Sequence, residues 1–313
     1  MLAVCRAAGA SAQSSSPGFT PVQMEPEPEP LPPPPQEPPT KAGPRLVWNP
    51  KWPRFRAIGY ALTAASIAGA LTVTILLDYP DEPRWEGGTL FDNAIRNALR
   101  ARSPGLRDGI RVASDLTLLI TVVQAALVDG FLLPMADASW DVTWQLSLMN
   151  AQALSLNILI ATLLFKAAAR ARPSYEQCKQ DPNFDPLCDT GSFASFPSSH
   201  TSTAFTAAGL TCIHHANLPL YGGQPWDAVA CAGAMTLATA TGLFRIIGDR
   251  HYTTDVLVGG ALGFTLGFVY PYVFHYSYGD DDSSSSKDAT TLHWGILPGT
   301  QGAPLGASAM GIF

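Results

Sequence analysis

Charged residues are scarce in this 313-residue chain, since only 14% are Asp, Glu, Lys or Arg. Soluble domains usually carry about a quarter. The hydrophobic fraction is 47%, which argues against a soluble globular protein, and the length is ample for several membrane-spanning helices. The formal net charge of -6 excludes a strongly basic chain of the kind that binds nucleic acid.

Cysteine is also scarce, with five residues in the chain. Cys212 and Cys231 lie inside apolar segments and are interpreted as buried small hydrophobic side chains. Cys178 and Cys188 flank the polar loop CKQDPNFDPLC. They are candidates for a disulfide if that loop faces an oxidising compartment, and two unpaired thiols are the alternative.

The two ends of the chain lack the pattern of a packed core. Residues 1–45 include EPEPEPLPPPPQEPP, a composition that predicts disorder because it cannot bury enough apolar surface to offset its ordering entropy. Residues 278–313 form a Ser/Asp-rich and Gly-rich tail, in which the three adjacent aspartates are interpreted as a solvated run rather than as metal ligands. Residues 46–277 remain as the predicted membrane domain.

Six apolar segments follow one another in that domain. Most approach the roughly 20 residues that a helix needs to cross a bilayer. The fourth is short and rich in Thr and Ser, which predicts a helix enclosed by the others. The segments cover about 57–77, 116–135, 146–168, 201–216, 227–246 and 255–276.

The predicted fold is all-α, a six-transmembrane-helix bundle. Tryptophans cluster just before the first, third and fifth segments, as in an interfacial belt, so these three segments enter the membrane from one side. Asp129, Asn150 and Asn157 lie within segments and should face other helices rather than lipid. The stretch 84–114 has apolar residues at helical spacing among arginines and is predicted to be an interfacial helix between the first two spans.

Three polar clusters stand at the ends of these segments. The third segment ends in FKAAARARP, the fourth begins with PSSH, and the loop FRIIGDRHYTTD joins the fifth to the sixth. If the helices alternate in direction, all three clusters lie at one membrane face. The predicted site contains Lys166, Arg170, Arg172, Ser198, Ser199, His200, Arg245, His251 and Asp255.

These residue types suit an anion site that contains a nucleophile. A helix that begins at PSSH presents unpaired backbone N–H groups to an anion, and Arg172 and Arg245 can donate paired hydrogen bonds to phosphate oxygens. On a helix, Asp255 would lie one turn from His251 and could hold its imidazole in one tautomer. An oriented imidazole is a competent nucleophile, and His200 can protonate a leaving oxygen. This chemistry needs no metal or other cofactor.

Each motif alone also has a structural explanation. PSSH is most often a helix cap, ARARP is commonly positive charge at a helix C-terminus followed by a proline stop, and a His–Asp pair is usually a surface contact. Their occurrence together at one face favours the catalytic interpretation.

At these residues the sequence resembles the type 2 phosphatidic acid phosphatase superfamily, the integral-membrane lipid phosphatases related to vanadium haloperoxidases. The family motifs are Lys, six residues, Arg-Pro; then Pro-Ser-Gly-His; then Ser-Arg, five residues, His, three residues, Asp. In this chain the third motif has complete spacing from Arg245 through His251 to Asp255. The second is PSSH at 197–200, and the first ends in Arg172.

The resemblance covers residues 55–277 and implies a role for each matching residue. His251 would attack phosphorus to form a phosphohistidine, with Asp255 orienting it. His200 would protonate the departing alkoxide and later help water to release phosphate. The equatorial oxygens of the transition state would be stabilised by Arg172, Arg245, Ser198 and the backbone at Ser199.

Three positions depart from the family pattern. Phe165 occupies the family's Lys position, and Lys166 is one residue late, which turns its side chain by about 100°; a local helix irregularity, or Arg170 as a substitute, would restore the charge. Ser199 replaces Gly and narrows the approach of phosphate. Phe244 replaces the Ser before Arg245 and removes a hydrogen-bond donor.

The resemblance implies a phosphorylated lipid as substrate, either a monoester such as phosphatidate or a polyprenyl diphosphate, within the bilayer. No nucleic-acid partner is expected, and the sequence identifies no protein partner. Lipid phosphotransfer and a catalytically silent scaffold are the alternatives. Lys and Arg are more numerous at the face of the site, which argues that this face is cytoplasmic, although several of them are candidate phosphate ligands. Lys51, Arg54 and Arg56 before the first segment favour instead a cytoplasmic N-terminus, which places the site on the extracytoplasmic face of the cell (inner) membrane, the preferred orientation.

Overall fold

A computed structural model of the chain describes residues 45–78, 80–188 and 193–278, together with the backbone of 293–297 and 306–310. These residues belong to one compact unit, Pro44–Phe313. Residues 1–44 of the segment predicted to be disordered, and the aspartates at 280–282, lie outside the described residues.

Long helices dominate the described part of the chain. In chain order the α-helices are α1 (Ala57–Leu76), α2 (Asp92–Leu99), α3 (Pro104–Val123), α4 (Leu133–Ala136), α5 (Trp140–Ala168), α6 (Tyr175–Gln180), α7 (Ser199–Asn217), α8 (Trp226–Ile247) and α9 (Thr253–Phe264). The π-helix π1 (Gln124–Leu132) joins α3 to α4, and π2 (Thr265–Val269) and π3 (Tyr272–Tyr276) continue α9. The strands β1 (His293–Leu297) and β2 (Gly306–Met310) pair antiparallel, which the all-α prediction did not include.

Five of the described helices are long and apolar enough to cross a membrane: α1, the run Pro104–Ala136, α5, α8 and the run Thr253–Tyr276. The fourth predicted segment corresponds to α7, whose residues from Thr201 to His215 are mostly buried. It packs against α3, α5, α8 and α9. The expectation that this helix is enclosed by the others is therefore confirmed.

Glycines bring α9 and π2 into backbone contact with α7. Gly259, Gly263 and Gly267 recur every fourth residue, the small-residue spacing that lets membrane helices approach closely. A methyl group at Gly259 would lie 2.6 Å from the carbonyl oxygen of Ser198, and methyl groups at the other two would collide with carbonyl oxygens of α7. This glycine seam sets the N-terminus of α9 beside the N-terminus of α7.

Polar residues within the apolar segments face other helices, as expected. Asp129 accepts hydrogen bonds from Tyr221 Oη at 2.9 Å and Thr211 Oγ1 at 3.1 Å. Asn150 Nδ2 donates to the carbonyl oxygen of Ala125 at 2.9 Å. These partners remove the cost of exposing polar groups to hydrocarbon.

The stretch 84–114 is not one surface helix. It contains α2 and, after a turn, the first turns of α3, which begins well before the predicted start at 116. Ser103 caps α3 by accepting a hydrogen bond from the N–H of Leu106 at 3.3 Å, and Pro104 occupies the first turn, both favourable at a helix start.

Arginines in the first turns of α3 are buried because they share one carboxylate. Arg111 donates to both oxygens of Asp185, at 2.8 and 2.7 Å, and Arg107 Nε donates to it at 2.8 Å. Burial alone would raise the pKa of Asp185, but the bonds from Arg111, from the Leu187 N–H and from Arg107 lower it to about 2. These ion pairs fasten the loop after α6 to α3.

Two disulfides lie within the described residues. Cys178 and Cys188 are joined across the polar loop. Cys212 and Cys231 are also joined, which corrects their interpretation as separate buried thiols. Their segments pack side by side as α7 and α8, a proximity that apolar composition alone does not reveal.

The Asp185 ion pairs give a stability prediction. Asp185→Asn leaves two buried arginines without a counter-charge and should lower the free energy of unfolding by about 3 kcal/mol at pH 7. Because the pKa of Asp185 is about 2 when folded and about 3.9 when unfolded, the stabilisation is complete above about pH 4 and is lost as the pH falls towards 2.

Equilibrium unfolding in mixed detergent micelles measures this effect, with the exposed Asp181→Asn as the matched control. The control should change stability by less than about 0.5 kcal/mol. Equal effects of the two substitutions at pH 7, or a difference that persists unchanged at pH 2.5, would contradict the assignment.

Candidate active site

The three predicted clusters meet at one end of the bundle. Arg172 Nη1 lies 3.5 Å from His251 Nε2. Asp115 Oδ1 lies 3.1 Å from both His200 Nε2 and Arg245 Nη1. The segment after α5, the start of α7 and the loop between α8 and α9 therefore contribute to one polar site.

The start of α7 forms one wall of this site. Ser198 is its N-cap residue, and the Ser198 hydroxyl accepts from the Thr201 N–H at 3.4 Å and from Thr201 Oγ1 at 2.9 Å. The Ser198 N–H donates to the carbonyl oxygen of Asp255 at 3.0 Å, so this residue ties α7 to α9. Ser199 and His200 begin the helix, where backbone N–H groups have no intrahelical partner and favour an anion.

His251 is oriented by a main-chain carbonyl. Its Nδ1 lies 2.7 Å from the carbonyl oxygen of Ser195 and 3.8 Å from Asp255 Oδ2. Because α9 begins only at Thr253, the predicted helical His–Asp pair is corrected: the direct acceptor for His251 is Ser195. An Nδ1–H donated to this carbonyl leaves the lone pair of Nε2 on the side of Arg172.

The electrostatic environment keeps the His251 imidazole neutral. Complete burial, followed by the charges of Arg172 and Arg245, lowers the pKa of His251 well below its usual range. Desolvation and nearby positive charge both disfavour an imidazolium. A neutral imidazole with an unprotonated Nε2 can act as a nucleophile.

Asp255 acts on His251 through its neighbours. Its Oδ2 accepts from Ser195 Oγ at 2.6 Å and from the Tyr252 N–H at 2.8 Å, and its Oδ1 accepts from Arg170. Asp255 thus holds two residues in place: Ser195, whose carbonyl oxygen contacts His251, and Tyr252, which directly follows His251 in the chain.

Arg170 is the counter-charge for two carboxylates, which corrects its prediction as a phosphate ligand. It is fully buried and forms ion pairs with Asp255 and, at 2.8 Å, with Asp92. Its guanidinium lies between the rings of Trp85 and Tyr252, 3.9 and 4.2 Å from their centroids. Although burial tends to raise it, the pKa of Asp92 stays below its usual range because of the bond from Arg170.

Lys166 is directed towards α1, away from its predicted contact with phosphate. Its Nζ donates to the carbonyl oxygen of Leu77, the C-cap residue of α1. Helix α5 remains regular through this point and ends in a left-handed residue at Ala169, with φ 43°. No irregularity in α5 turns Lys166 back, and Phe165 lines the cavity beside His200.

Three residues of the site were missed from the sequence. Asp115 contacts His200 and Arg245, and Ser195 holds His251, but neither belongs to a recognisable motif. Arg250 directly precedes His251, which is the one signal that could have found it. Its buried Nε has no hydrogen-bond partner within the described ranges, and neither has Arg245 Nε. Burial and nearby Arg111 lower the pKa of Arg250 to about 10.

Two cavities adjoin the site. One, of about 270 Å³, lies among α1, α3, α5 and α7 and is lined by His200 and Ser199 together with Asn157. The other, of about 430 Å³, is an almost wholly apolar groove beside α8 and α9 that reaches Thr253. The polar site therefore lies next to cavities that can hold a ligand with an apolar part.

Comparison with known proteins gives a family match. Residues 145–278 match the family model described as the PAP2 superfamily. The chain is 42% identical over 74 residues to lipid A 1-phosphatase of Porphyromonas gingivalis, covering 23% of this chain and 15% of that protein. It is 34% identical over 110 residues to decaprenylphosphoryl-5-phosphoribose phosphatase of Mycobacterium tuberculosis, covering 35% and 51%.

Two further proteins are similar to the chain. The probable diacylglycerol pyrophosphate phosphatase 1 of Schizosaccharomyces pombe is 34% identical over 80 residues, covering 25% of this chain and 29% of that protein. The chain spans at most about half the length of these curated relatives. A crystal structure of a transmembrane PAP2 type phosphatidylglycerolphosphate phosphatase from Bacillus subtilis aligns with a TM-score of 0.41 at 22% identity, covering 67% of this chain and 92% of that chain.

The burial of Arg170 generates a prediction. Arg170→Met leaves Asp92 and Asp255 buried without their cation and should lower the free energy of unfolding by about 3–5 kcal/mol. The exposed Arg84→Met, in the segment that pairs with residues 169–171, should change it by less than about 0.5 kcal/mol. Equilibrium unfolding in mixed micelles compares the two, and a small effect of Arg170→Met would show that its charge is not needed to hold these carboxylates.

Proposed function

We propose that this chain is a phosphoric ester hydrolase that removes phosphate from a lipid within the membrane, because residues 145–278 match the family model of the PAP2 superfamily. One observation carries the proposal. The unprotonated Nε2 of a buried, neutral His251 faces Arg172, and the buried Nε atoms of Arg245 and Arg250 have no acceptor among the described residues. A tetrahedral oxyanion supplies the acceptors that these groups lack.

In the first step, His251 Nε2 attacks phosphorus and the bond from phosphorus to the leaving oxygen breaks. Arg172 and Arg245 neutralise charge on the equatorial oxygens. The N–H groups of Ser199 and His200 at the start of α7 add hydrogen bonds and the favourable end of the helix dipole. Ser198 contributes by holding that helix end in place.

His200 completes the cycle as acid and then as base. It gives its proton to the leaving oxygen, so the lipid departs as an alcohol. Water then attacks the phosphohistidine, the P–N bond breaks, and His200 takes the proton of that water. The chain supplies every group that these steps use, with no metal or cofactor in any of them.

The membrane arrangement is part of the proposal. We infer that α7 is a sixth span, shielded from lipid by the five apolar helices, and that α2 lies at the interface. The cystine of Cys178 and Cys188 in the loop after α6 favours an oxidising compartment, and thus an extracytoplasmic site on the cell membrane. Phosphate release from substrate added outside sealed, right-side-out vesicles tests this orientation.

The substrate class follows from the site and its surroundings. An apolar groove of about 430 Å³ beside the polar centre suits a hydrocarbon chain, and the relatives are named for lipid A, diacylglycerol pyrophosphate and decaprenyl substrates. A lipid phosphate, either a monoester or a diphosphate, is therefore the proposed substrate.

The nucleophile and the acid can be separated by the choice of leaving group. His251→Ala should lower phosphate release at least about 1,000-fold from phosphatidate and from p-nitrophenyl phosphate alike, because no covalent intermediate forms. His200→Ala should lose release from phosphatidate, yet should still give a burst of p-nitrophenolate, a leaving group that needs no proton.

The assay uses purified protein in detergent with chelator present and a polyprenyl diphosphate as a further substrate. If the unaltered protein releases phosphate from none of these substrates, the remaining functions are a lipid phosphotransferase and a catalytically silent scaffold. Release that survives His251→Ala would show that another residue attacks phosphorus.

Arg250 gives a separate prediction. Arg250→Ala should weaken inhibition by orthovanadate, a phosphate analogue, about 10-fold to 100-fold, because a charged hydrogen-bond donor to the anion is lost. Arg102→Ala, at an exposed arginine that donates to the carbonyl oxygen of Asn97, is the matched control. An unchanged inhibition constant in Arg250→Ala would place this guanidinium outside the anion site.

A further inference from the structure

The leaving-group side of the site is marked by a carboxylate. Asp115 Oδ1 lies 3.1 Å from His200 Nε2 and 3.1 Å from Arg245 Nη1. If His200 protonates the leaving oxygen, that oxygen must come within hydrogen-bond distance of the same Nε2. A departing group therefore passes within a few ångströms of the Asp115 charge.

The Asp115 charge affects two kinds of leaving group differently. A phosphomonoester releases an alcohol, which is neutral once His200 has protonated it. A diphosphate releases a phosphate ester, which carries negative charge and is repelled by Asp115. Arg245 pairs with Asp115 and offsets part of this repulsion. The end of α5 adds no cation inside the cavity, because Phe165 faces it and Lys166 donates to Leu77.

The cavity beside His200 has a mainly apolar lining with a few polar side chains. Among its described lining residues His200 is the only ionisable one, and threonine hydroxyls stand beside Asn157. Asn157 is fully buried, and its Nδ2 donates to Thr203 Oγ1 at 3.0 Å. Its Oδ1 has no hydrogen-bond partner in the part of the chain that the structure describes.

A buried carbonyl oxygen without a donor is costly, and a ligand hydroxyl that reaches it removes the cost. Water is the other possible donor, but the cavity opens beside the acid, where the leaving group must lie. The cavity volume of about 270 Å³ is close to the lower end of the range for small-molecule sites. It suits a small part of an alcohol whose hydroxyl faces Asn157.

We propose that the substrate is a phosphomonoester whose leaving group is a neutral alcohol carrying a further hydroxyl, with Asp115 disfavouring diphosphates and Asn157 Oδ1 accepting that hydroxyl. The proposal rests on the function proposed above and specifies its substrate. In the transfer step the P–O bond breaks, the phosphoryl group moves to His251 Nε2, and the proton of His200 goes to the alkoxide oxygen. The product alcohol leaves without charge.

We call the repulsion of anionic leaving groups by Asp115 the charge filter. It can be tested with two lipids that contain the same diacylglycerol. Phosphatidate leaves diacylglycerol, whereas diacylglycerol pyrophosphate leaves phosphatidate, an anion. The unaltered protein should prefer phosphatidate in kcat/KM, and Asp115→Asn should shift the ratio towards the diphosphate by about fivefold, the effect of one unit charge near 4 Å in a water-like dielectric. The water-like value applies because the Asp115 side chain is 58% exposed.

Asp108→Asn is the matched control, since it removes the same charge from an exposed position on the same helix. It should leave the ratio unchanged. If Asp115→Asn does not fold, raising the salt concentration with the unaltered protein should narrow the preference, because salt screens an exposed charge. A preference for the diphosphate in the unaltered protein, or a ratio insensitive to both changes, would overturn the charge filter.

Lysophosphatidate, which carries a free hydroxyl beside the leaving oxygen, tests Asn157. Asn157→Leu should lower kcat/KM for lysophosphatidate about fivefold more than for phosphatidate, because only the former loses a hydrogen bond. Equal losses would remove Asn157 from the leaving-group site. Absence of phosphate release from all three lipids would instead overturn the proposed function itself, and this inference with it.

Discussion

The site depends on one buried guanidinium. Arg170 lies between Asp92 at the start of α2 and Asp255 in the first turn of α9, with aromatic rings on both faces. An isolated carboxylate or guanidinium at this depth would cost several kcal/mol, so the three groups are stable only together. The position of His251 depends on this cluster, because Asp255 accepts a hydrogen bond from the Ser195 hydroxyl and the carbonyl oxygen of Ser195 orients His251.

The arginines at this end of the molecule fall into two groups according to their partners. Arg107 and Arg111 share Asp185, and Arg96 pairs with Asp249 at 2.6 Å, so these outer charges are neutralised within the fold. Next to His251, Arg245 pairs with the exposed Asp115, but the buried Nε atoms of Arg245 and Arg250 have no acceptor among the described residues. Hydrogen-bond donors on positively charged groups are thus left available where a phosphate can bind.

Sequence patterns predict which helix ends form the site, but they do not predict the contacts between its residues. Apolar length and the order of polar clusters were enough to bring the ends of α5, α7 and α8 to one face, because helix direction follows from counting spans. The role of Arg170 could not be predicted, since the two arginines in ARARP look alike until the chain beyond Ala169 has turned, whereas the one-residue offset of Lys166 already indicated that its side chain turns away. The carbonyl of Ser195 leaves no side-chain signal, and Asp115 comes from a helix whose start was misplaced.

The glycine seam between α7 and α9 has a consequence for how such a protein can diversify. Where Gly259 meets Ser198, two main chains touch, so mutation has almost no room to vary the geometry of nucleophile and acid. The opposite wall, contributed by α1, α3 and α5, is made of side chains that can be exchanged one at a time. New substrates should therefore arise along that wall during evolution, while the seam is inherited unchanged.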